Sequence, residues 1–219
     1  MTTVPVFERE AARYEAWYAT PSGRRIDEAE RSLIDWLLSD LASSRVVLDV
    51  GCGTGHFTGW LAEGGRTAIG LDRSPAMLAE ARRRLPAAPL VLGDAHRLPL
   101  RDRSVDVALL VATLEFLDDP HAALAEAARV ARHGVAVVAL NRCSLGGMSR
   151  RWGRQRTSPI LGIARDCSRR SLRRGLIEAA GSRLADVRCR GTLFPDGLWR
   201  CRLATTFGGE VLGMVAELV

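Results

Sequence analysis

The stretch VLDVGCGTGHF, residues Val47–Phe57, decides how the rest of the chain is interpreted. It begins as an apolar run with one acid, Asp49, and then places glycines at alternate positions: Gly51, Gly53 and Gly55. Glycine permits backbone conformations and close approaches that side chains forbid, and the first turn of a helix presents N–H groups without helical partners. The stretch therefore predicts a strand, a tight turn and a helix whose start faces a bound ligand.

The residue after the last glycine distinguishes between ligand classes. Dinucleotide-binding turns have the pattern Gly-x-Gly-x-x-Gly/Ala, in which the last small residue lets the helix pack on the strand. Here that position holds His56, so the pattern is Gly-x-Gly-x-Gly, a poor match to a pyrophosphate-binding fingerprint. A glycine-rich turn without a ligand is the alternative interpretation.

Apolar runs and helical patterns alternate from residue 46 to residue 140. The apolar runs are continuous, as is typical of strands buried on both faces. They predict strands at Val46–Val50, Thr67–Leu71, Leu90–Leu92, Val105–Val111 and Val135–Leu140. Helical spacing predicts helices at Phe57–Glu63, Ser74–Leu85 and Pro120–Arg132. This alternation predicts an α/β fold, a Rossmann-like open sheet that is mostly parallel, with helices on both faces.

Two regions flank this alternation. Residues 1–44 contain the aromatic stretch EREAARYEAWY and a helical pattern over Ile26–Ala42, and they form an N-terminal helical segment in this interpretation. Residues 45–219 form the main domain. In its C-terminal part a helical pattern covers Ser171–Ala180, and two apolar runs predict strands at Ala185–Arg190 and Arg200–Phe207.

The basic residues are all arginine, and this excludes several mechanisms. The 31 basic residues include no lysine, so a Schiff-base lysine, a P-loop lysine and a Tyr-x-x-x-Lys dehydrogenase pair are impossible. Residues 142–174 contain ten arginines and one acid, a local charge of 10 − 1 = +9, whereas the whole chain has a net charge of +6. This Arg-rich segment is expected to be either a cap that binds an anionic small molecule or RNA phosphates, or a solvated loop. Only Trp152 interleaves its arginines, which disfavours an RNA-stacking surface.

Cysteine and histidine spacing argues against a disulfide framework and against a metal site. The five cysteines include no Cys-x-x-Cys pair, and the four histidines lack metal-ligand spacing. No apolar run approaches the roughly 18 residues of a membrane span, and the N-terminus lacks the apolar core of a signal peptide. We therefore expect a cytoplasmic protein.

Four stretches in order resemble the motifs of one family. VLDVGCGTGHF is similar to the first motif of class I S-adenosylmethionine-dependent methyltransferases, and GLDRSPAML is similar to the second. LVLGDAHRLPLRDRSVDVALL and VATLEFLDDPHAALAEAARVAR resemble the third motif, the fourth strand and the following helix. Over roughly residues 45–140 the chain is most similar to type 11 domains, the ubiquinone/menaquinone-biosynthesis type. The resemblance implies the class I fold with an antiparallel C-terminal strand, and S-adenosyl-L-methionine as cofactor with S-adenosyl-L-homocysteine as product.

The resemblance also implies where the cofactor binds. The backbone of the turn, Gly51, Cys52, Gly53 and Gly55, would pack beside the methionine half, and Asp49 would hold its amino end. Asp72 would accept both ribose hydroxyls.

Other residues would surround the adenine and the carboxylate. Arg73 and Met77 would flank the adenine, while Asp94 and the Ala95 amide would bind its edge. Backbone at Val111 and Ala112 would lie near the methionine, and Tyr14 and Tyr18 would close over its carboxylate. The alternatives are that Met77 is plain core, that Asp94 is a turn acid, and that the tyrosines only pack.

The reaction itself does not require a protein base. Methyl transfer is an in-line displacement in which alignment and desolvation do most of the work. Glu115, which either faces the pocket or is solvated, and His56, otherwise a structural residue, are the candidate catalytic residues. The expected acceptor is a small molecule; the alternatives are RNA methylation through the Arg-rich segment, a non-catalytic adenosylmethionine-binding module and, more distantly, a dehydrogenase.

Overall fold

The computed structural model describes residues 4–41, 44–141, 163–165, 167–192, 209 and 211–219. The strands in these ranges are β1 Val46–Val50, β2 Thr67–Asp72, β3 Leu90–Leu92, β4 Val105–Val111, β5 Ala131–Leu140, β6 Leu184–Thr192 and β7 Val211–Leu218. The α-helices are α1 Val4–Tyr18, α2 Pro21–Leu38, α3 His56–Glu63, α4 Pro75–Arg84, α5 Pro120–Val130 and α6 Arg169–Ala180. Short 3₁₀ helices cover Leu114–Phe116 and Gly181–Arg183.

The strands form one sheet in the order β3-β2-β1-β4-β5-β7-β6. All neighbours in the first five strands are parallel, and β7 runs antiparallel to both β5 and β6. This confirms the predicted open sheet with an antiparallel C-terminal strand. The chain leaves β1 toward β2 on one side and returns to β4 on the other, which opens a crevice at the carboxyl ends of these strands.

Several helices begin at side-chain caps followed by proline. Thr20, Ser74 and Asp119 accept hydrogen bonds from backbone N–H groups in the first turns of α2, α4 and α5. Proline follows each of them, where its missing N–H costs nothing. These caps fix the starting points of α4 and α5 at the sheet edge that carries the crevice.

Apolar side chains cover both faces of the sheet. On one face Leu33, Ile34 and Leu37 of α2 and Leu61 of α3 pack against the central strands. On the other face Leu124 of α5 with Leu172 and Leu176 of α6 form the larger cluster. The continuous apolar strands are buried because each face has its own helical layer.

Near the C-terminal strands one sequence prediction was wrong and one strand was missed. α5 ends at Val130 and β5 begins at Ala131, whereas the pattern predicted a helix through Arg132. Pairing of Ala131 with Val105 across a bulge, and the Arg132 guanidinium that donates to Asp106 at 3.1 Å, hold these residues in the sheet. The strand Val211–Leu218 was not predicted.

The predicted strand Arg200–Phe207 and most of the Arg-rich segment, residues 142–162 and 166, lie outside the described residues. Every helix in the described ranges is too short or too polar to cross a lipid bilayer. The same ranges contain no cluster of three or more His, Cys, Asp or Glu side chains suited to a metal ion.

Candidate functional site

A pocket lies at the carboxyl ends of β1, β2 and β4, beneath α1. Its floor is the glycine turn, and its walls include Asp72 and Val111 at the strand ends and Met77 of α4. The pocket thus occupies the crevice that the strand order creates, which is where open α/β sheets bind ligands.

The glycine turn needs its glycines for two separate reasons. Gly51, Gly53 and Gly55 have φ angles of 76°, 55° and 77°, which is the left-handed region. At Gly51 a Cβ would also lie 2.5 Å from Thr113 Cγ2, whereas at Gly53 the nearest atom to a Cβ would be 4.0 Å away. The backbone at Gly53 is therefore open on its pocket side, as the ligand prediction requires. Gly55 packs against Leu85 of the α4 C-terminus and is not among the lining residues.

Asp72 lies at the end of β2 and connects two backbone segments. Its Oδ2 accepts from Gly53 N–H and its Oδ1 accepts from Ser74 N–H, both at 2.8 Å. Burial raises the pKa of Asp72, although these backbone hydrogen bonds lower it in part. Each carboxylate oxygen keeps a further acceptor position, so Asp72 can receive two hydroxyl donors from a ligand.

Asp49 lines the inner end of the pocket and is only 2% exposed. Its Oδ2 accepts from the Thr58 hydroxyl at 2.6 Å. Burial raises the pKa of Asp49 to about 6, and the neighbouring Asp72 adds to this, against the hydrogen bond from Thr58. Burial likewise raises the pKa of the Cys52 thiol, so Cys52 is a neutral lining residue. A cationic ligand group would favour ionised Asp49.

The side expected to hold an adenine is only partly as predicted. Arg73, Met77 and Ala95 line the pocket, and Met77 is also core, with 1% exposure. Asp94 does not line it: its Oδ1 accepts from His96 N–H at 2.9 Å and contacts His96 Nδ1 at 2.6 Å. Partial burial opposes but does not outweigh these contacts, and the pKa of Asp94 is lowered. The role of Asp94 toward an adenine stays a prediction.

Helix α1 supplies an aromatic wall. Phe7, Tyr14 and Tyr18 line the pocket, and Phe7 meets Phe116 edge to face at 5.0 Å between ring centroids. Tyr18 stacks on His56 at 3.7 Å with an interplanar angle of 6°. Burial, followed by nearby acids, raises the pKa of both tyrosines, which therefore remain neutral donors. The spacing of seven and four residues places all three on one helical face.

His56 is held by carboxylates on both sides. Its Nε2 lies 2.8 Å from Asp27 Oδ1, and its Nδ1 lies 3.3 Å from Glu15 Oε2. Arg31 also approaches Nε2, at 3.1 Å. Although His56 lines the pocket, both of its nitrogens are engaged within the protein, so it presents its ring and not an available base.

Glu115 is placed differently from both expectations for it. Its side chain is fully buried rather than solvated, it does not line the pocket, and its Oε1 accepts from Leu140 N–H at 2.5 Å. Its charge acts on a second buried acid, Glu30 of α2. Burial first, and then the charges of Glu115 and Asp27, raise the pKa of Glu30 to about 8.

Sequence reasoning missed several lining residues. Phe7 could have been found, because it precedes Tyr14 by two helical turns on the same face. Ser74 could have been found as the cap residue beside Asp72. Thr113, Phe116 and Leu117 follow β4 and carry no motif that marks them, so only the fold brings them to the pocket.

Comparisons with known proteins agree with this geometry. Residues 48–139 match a family model described as a methyltransferase domain. An uncharacterised methyltransferase of Mycobacterium tuberculosis strain H37Rv is 46% identical over 101 residues, which cover 46% of this chain and 40% of that protein. A malonyl-[acyl-carrier protein] O-methyltransferase of Pectobacterium atrosepticum is 37% identical over 145 residues, 63% of this chain and 57% of that protein.

A solved structure is similar over nearly the whole chain. It is a SAM-dependent methyltransferase of Thermotoga maritima, described as a possible histamine N-methyltransferase, with a TM-score of 0.77 and 26% identity. The match covers 98% of this chain and 99% of that one. The chain spans only about half the length of the curated relatives it matches.

Proposed function

We propose that this chain is a class I S-adenosylmethionine-dependent methyltransferase, since its residues 48–139 match a methyltransferase domain, and that it transfers a methyl group from S-adenosyl-L-methionine to an acceptor molecule. S-adenosyl-L-homocysteine would be the product. The observation that carries the proposal is the pair formed by Asp72 and Gly53, in which a strand-end carboxylate is fixed against an open glycine backbone.

The charge of the pocket supports a cationic cofactor. Asp49 and Asp72 both line it, and burial raises the pKa of each. Adenosylmethionine has a sulfonium and an ammonium group, and positive charge beside these acids would favour their ionised forms. Among the described lining residues Arg73 is the only arginine, and it lies 4.0 Å from Asp94 at the rim. A pyrophosphate would meet carboxylates here.

The proposed chemistry is an in-line displacement at the activated methyl carbon. The bond from sulfur to the methyl group breaks as the bond from the acceptor atom forms, and the electron pair of the broken bond stays on sulfur. The protein would contribute alignment and exclusion of water. Phe7, Phe116 and Leu117 provide an apolar boundary for this purpose. We assign no catalytic base, since both nitrogens of His56 are engaged and Glu115 is buried and does not line the pocket.

We propose a small molecule, or a small group on a carrier, as the acceptor. Two similar proteins are named as a malonyl-[acyl-carrier protein] O-methyltransferase and a possible histamine N-methyltransferase, which supports this class of acceptor. The expected anionic acceptor and the RNA alternative both depend on the Arg-rich segment. We also propose that residues 1–44 cover the cofactor site, as the aromatic wall of α1 suggests, and that the protein is cytoplasmic.

A thermal melt with S-adenosylhomocysteine, S-adenosylmethionine, NAD and NADP in parallel tests the cofactor. A ligand at 100 times its Kd adds about 2.7 kcal/mol, which is a rise of roughly 5–10 °C in Tm for a chain of this size. We expect the rise with the adenosyl ligands alone and expect Asp72→Ala to remove it. Asp35→Ala, an exposed acid on α2, is the matched control and keeps the rise. A rise in Tm with NAD, or the absence of a rise with any of the four ligands, would contradict the proposed function.

A further inference from the structure

Helix α1 contributes three side chains to the pocket, and two acids attach it to the rest of the protein. In its N-terminal half Glu8 accepts from the Ser74 hydroxyl at 2.7 Å. In its C-terminal half Glu15 makes several polar contacts at once. Tyr14 and Tyr18 flank Glu15, so whatever holds Glu15 also sets the position of the tyrosine part of the wall.

Glu15 contacts three separate parts of the cofactor region. Its Oε1 accepts from the Thr54 hydroxyl at 2.5 Å and lies 2.7 Å from Arg84 Nη1 at the end of α4. Its Oε2 lies 3.3 Å from His56 Nδ1 at the start of α3. Arg84 also donates to the Thr54 carbonyl oxygen at 2.9 Å. The glycine turn and the ends of α3 and α4 therefore meet at one carboxylate.

The charge state of Glu15 fits this arrangement. Burial opposes ionisation, but hydrogen bonds from His56 and Thr54 and the charges of His56 and Arg84 outweigh it and lower the pKa of Glu15. His56 continues the network to Asp27 of α2. The ring of His56 also stacks on Tyr18, so the same residue contacts both Glu15 and the aromatic wall.

We propose that Glu15 is a positioning residue for the cofactor, which holds the C-terminal half of α1, with Tyr14 and Tyr18, against the glycine turn. The proposal rests on the proposed function for the identity of the ligand. Glu15 does not line the pocket and acts through its neighbours. When the ligand-competent arrangement is only a fraction of the population, the measured Kd rises by the inverse of that fraction.

The proposal also predicts which half of the cofactor is affected. Glu8 still attaches the N-terminal half of α1 when Glu15 is replaced, so the tyrosine half is released selectively. If the tyrosines close over the amino-acid end, the affinity for S-adenosylhomocysteine falls more than the affinity for 5′-methylthioadenosine, which lacks that end. A general loss of structure would weaken both ligands alike.

Calorimetric titration of both ligands with Glu15→Ala, Glu15→Gln and Glu10→Gln is the experiment. Glu10 lies on the same helix, and its side chain forms no hydrogen bond or ion pair with any residue that the structure describes, so Glu10→Gln is the matched control. For Glu15→Ala we expect a rise of roughly 10- to 100-fold in the Kd of S-adenosylhomocysteine, the size expected for hydrogen bonds to a charged group. The Kd of 5′-methylthioadenosine should rise less than threefold. Glu15→Gln keeps an acceptor for the Thr54 hydroxyl, so its Kd for S-adenosylhomocysteine should fall between those of Glu15→Ala and Glu10→Gln.

Limited trypsin digestion without ligand provides an independent readout. Arg9 and Arg13 are exposed on α1, and cleavage there requires the helix to open locally. We expect Glu15→Ala to be cut at Arg13 at least fivefold faster than wild type and Glu10→Gln to match wild type. Equal digestion rates, or equal losses of affinity for the two ligands, would overturn the assignment. If wild type binds no adenosyl ligand, the proposed function fails, while digestion still tests the attachment of α1.

Discussion

We expect the buried acid Glu30 to lower the stability of the protein at neutral and alkaline pH. It is 6% exposed, and no basic side chain of the described residues pairs with it. Burial and the charges of Glu115 and Asp27 raise its pKa to about 8 from an ordinary value of 4.5. Between these two values the folded protein holds a proton on Glu30 that the unfolded chain has released.

The sign and size of the effect follow from this difference in bound protons. Where the folded state holds one proton more than the unfolded state, stability falls by about 1.4 kcal/mol for each pH unit. Below pH 4.5 both states are protonated and the penalty vanishes; above pH 8 both are ionised and it is constant. The gap from 4.5 to about 8 corresponds to at most about 5 kcal/mol at pH 8.

Glu30→Gln removes the titration while it keeps the shape of the side chain. We expect the variant to match wild type near pH 5 and to be about 2–5 kcal/mol more stable at pH 8, with the difference growing steadily between these values. Urea unfolding at pH 5, 6, 7 and 8 measures it. Glu28→Gln, an exposed acid on the same helix, controls for the loss of one charge. A difference that is independent of pH, or a variant less stable than wild type at pH 8, would refute the reasoning.

Three further predictions concern the pocket. The affinity for S-adenosylhomocysteine should increase as the pH rises from 5 through the Asp49 pKa of about 6 and should level off above it, because only the ionised acid pairs with the amino group of the ligand. Titration calorimetry measures this affinity, and Asp49→Asn should bind the ligand weakly at every pH. Gly51→Ala should cost about 2–4 kcal/mol in urea unfolding, since its Cβ would collide with Thr113, whereas Gly65→Ala, with φ 83° and open space, should cost only about 1 kcal/mol. Ser74→Ala should lower stability by about 1 kcal/mol, measured as a fall in Tm, because it removes the cap of α4.

The parallel part of the sheet could be predicted because each strand is a continuous apolar run. β1 and β4 are buried along almost their whole length, and three of the six residues of β2 are buried. β7 could not be predicted in the same way. Gly213 interrupts it and lowers its strand propensity, and the glycine is there because Leu33 of α2 packs within 3 Å of where a Cβ would be.

The residues of the site likewise fall into those that local sequence predicts and those that only the fold brings together. Asp72 and the glycine turn could be located from local sequence, because a strand end and a turn are neighbours in the chain. Glu15 and Glu30 lie on N-terminal helices that carry no motif, and their importance comes from partners 39 to 85 residues away, such as Thr54 and Glu115. No local pattern records such contacts, so only the fold could show them.

The charges of the chain and of the pocket have opposite signs, so the binding of the cofactor and the binding of the acceptor have to be considered separately. The chain has a net charge of +6, with +9 concentrated in residues 142–174, yet Asp49 and Asp72 face the cofactor space and Glu30 and Glu115 lie buried nearby. Acids inside the pocket favour a cationic cofactor and would repel an anion held close to the sulfur. An anionic acceptor would therefore have to carry its negative charge away from its reacting atom, with an uncharged or cationic end inside the pocket. The charge of the acceptor's reacting end and the charge of the rest of the acceptor are thus separate questions, and substrate screens should vary them independently.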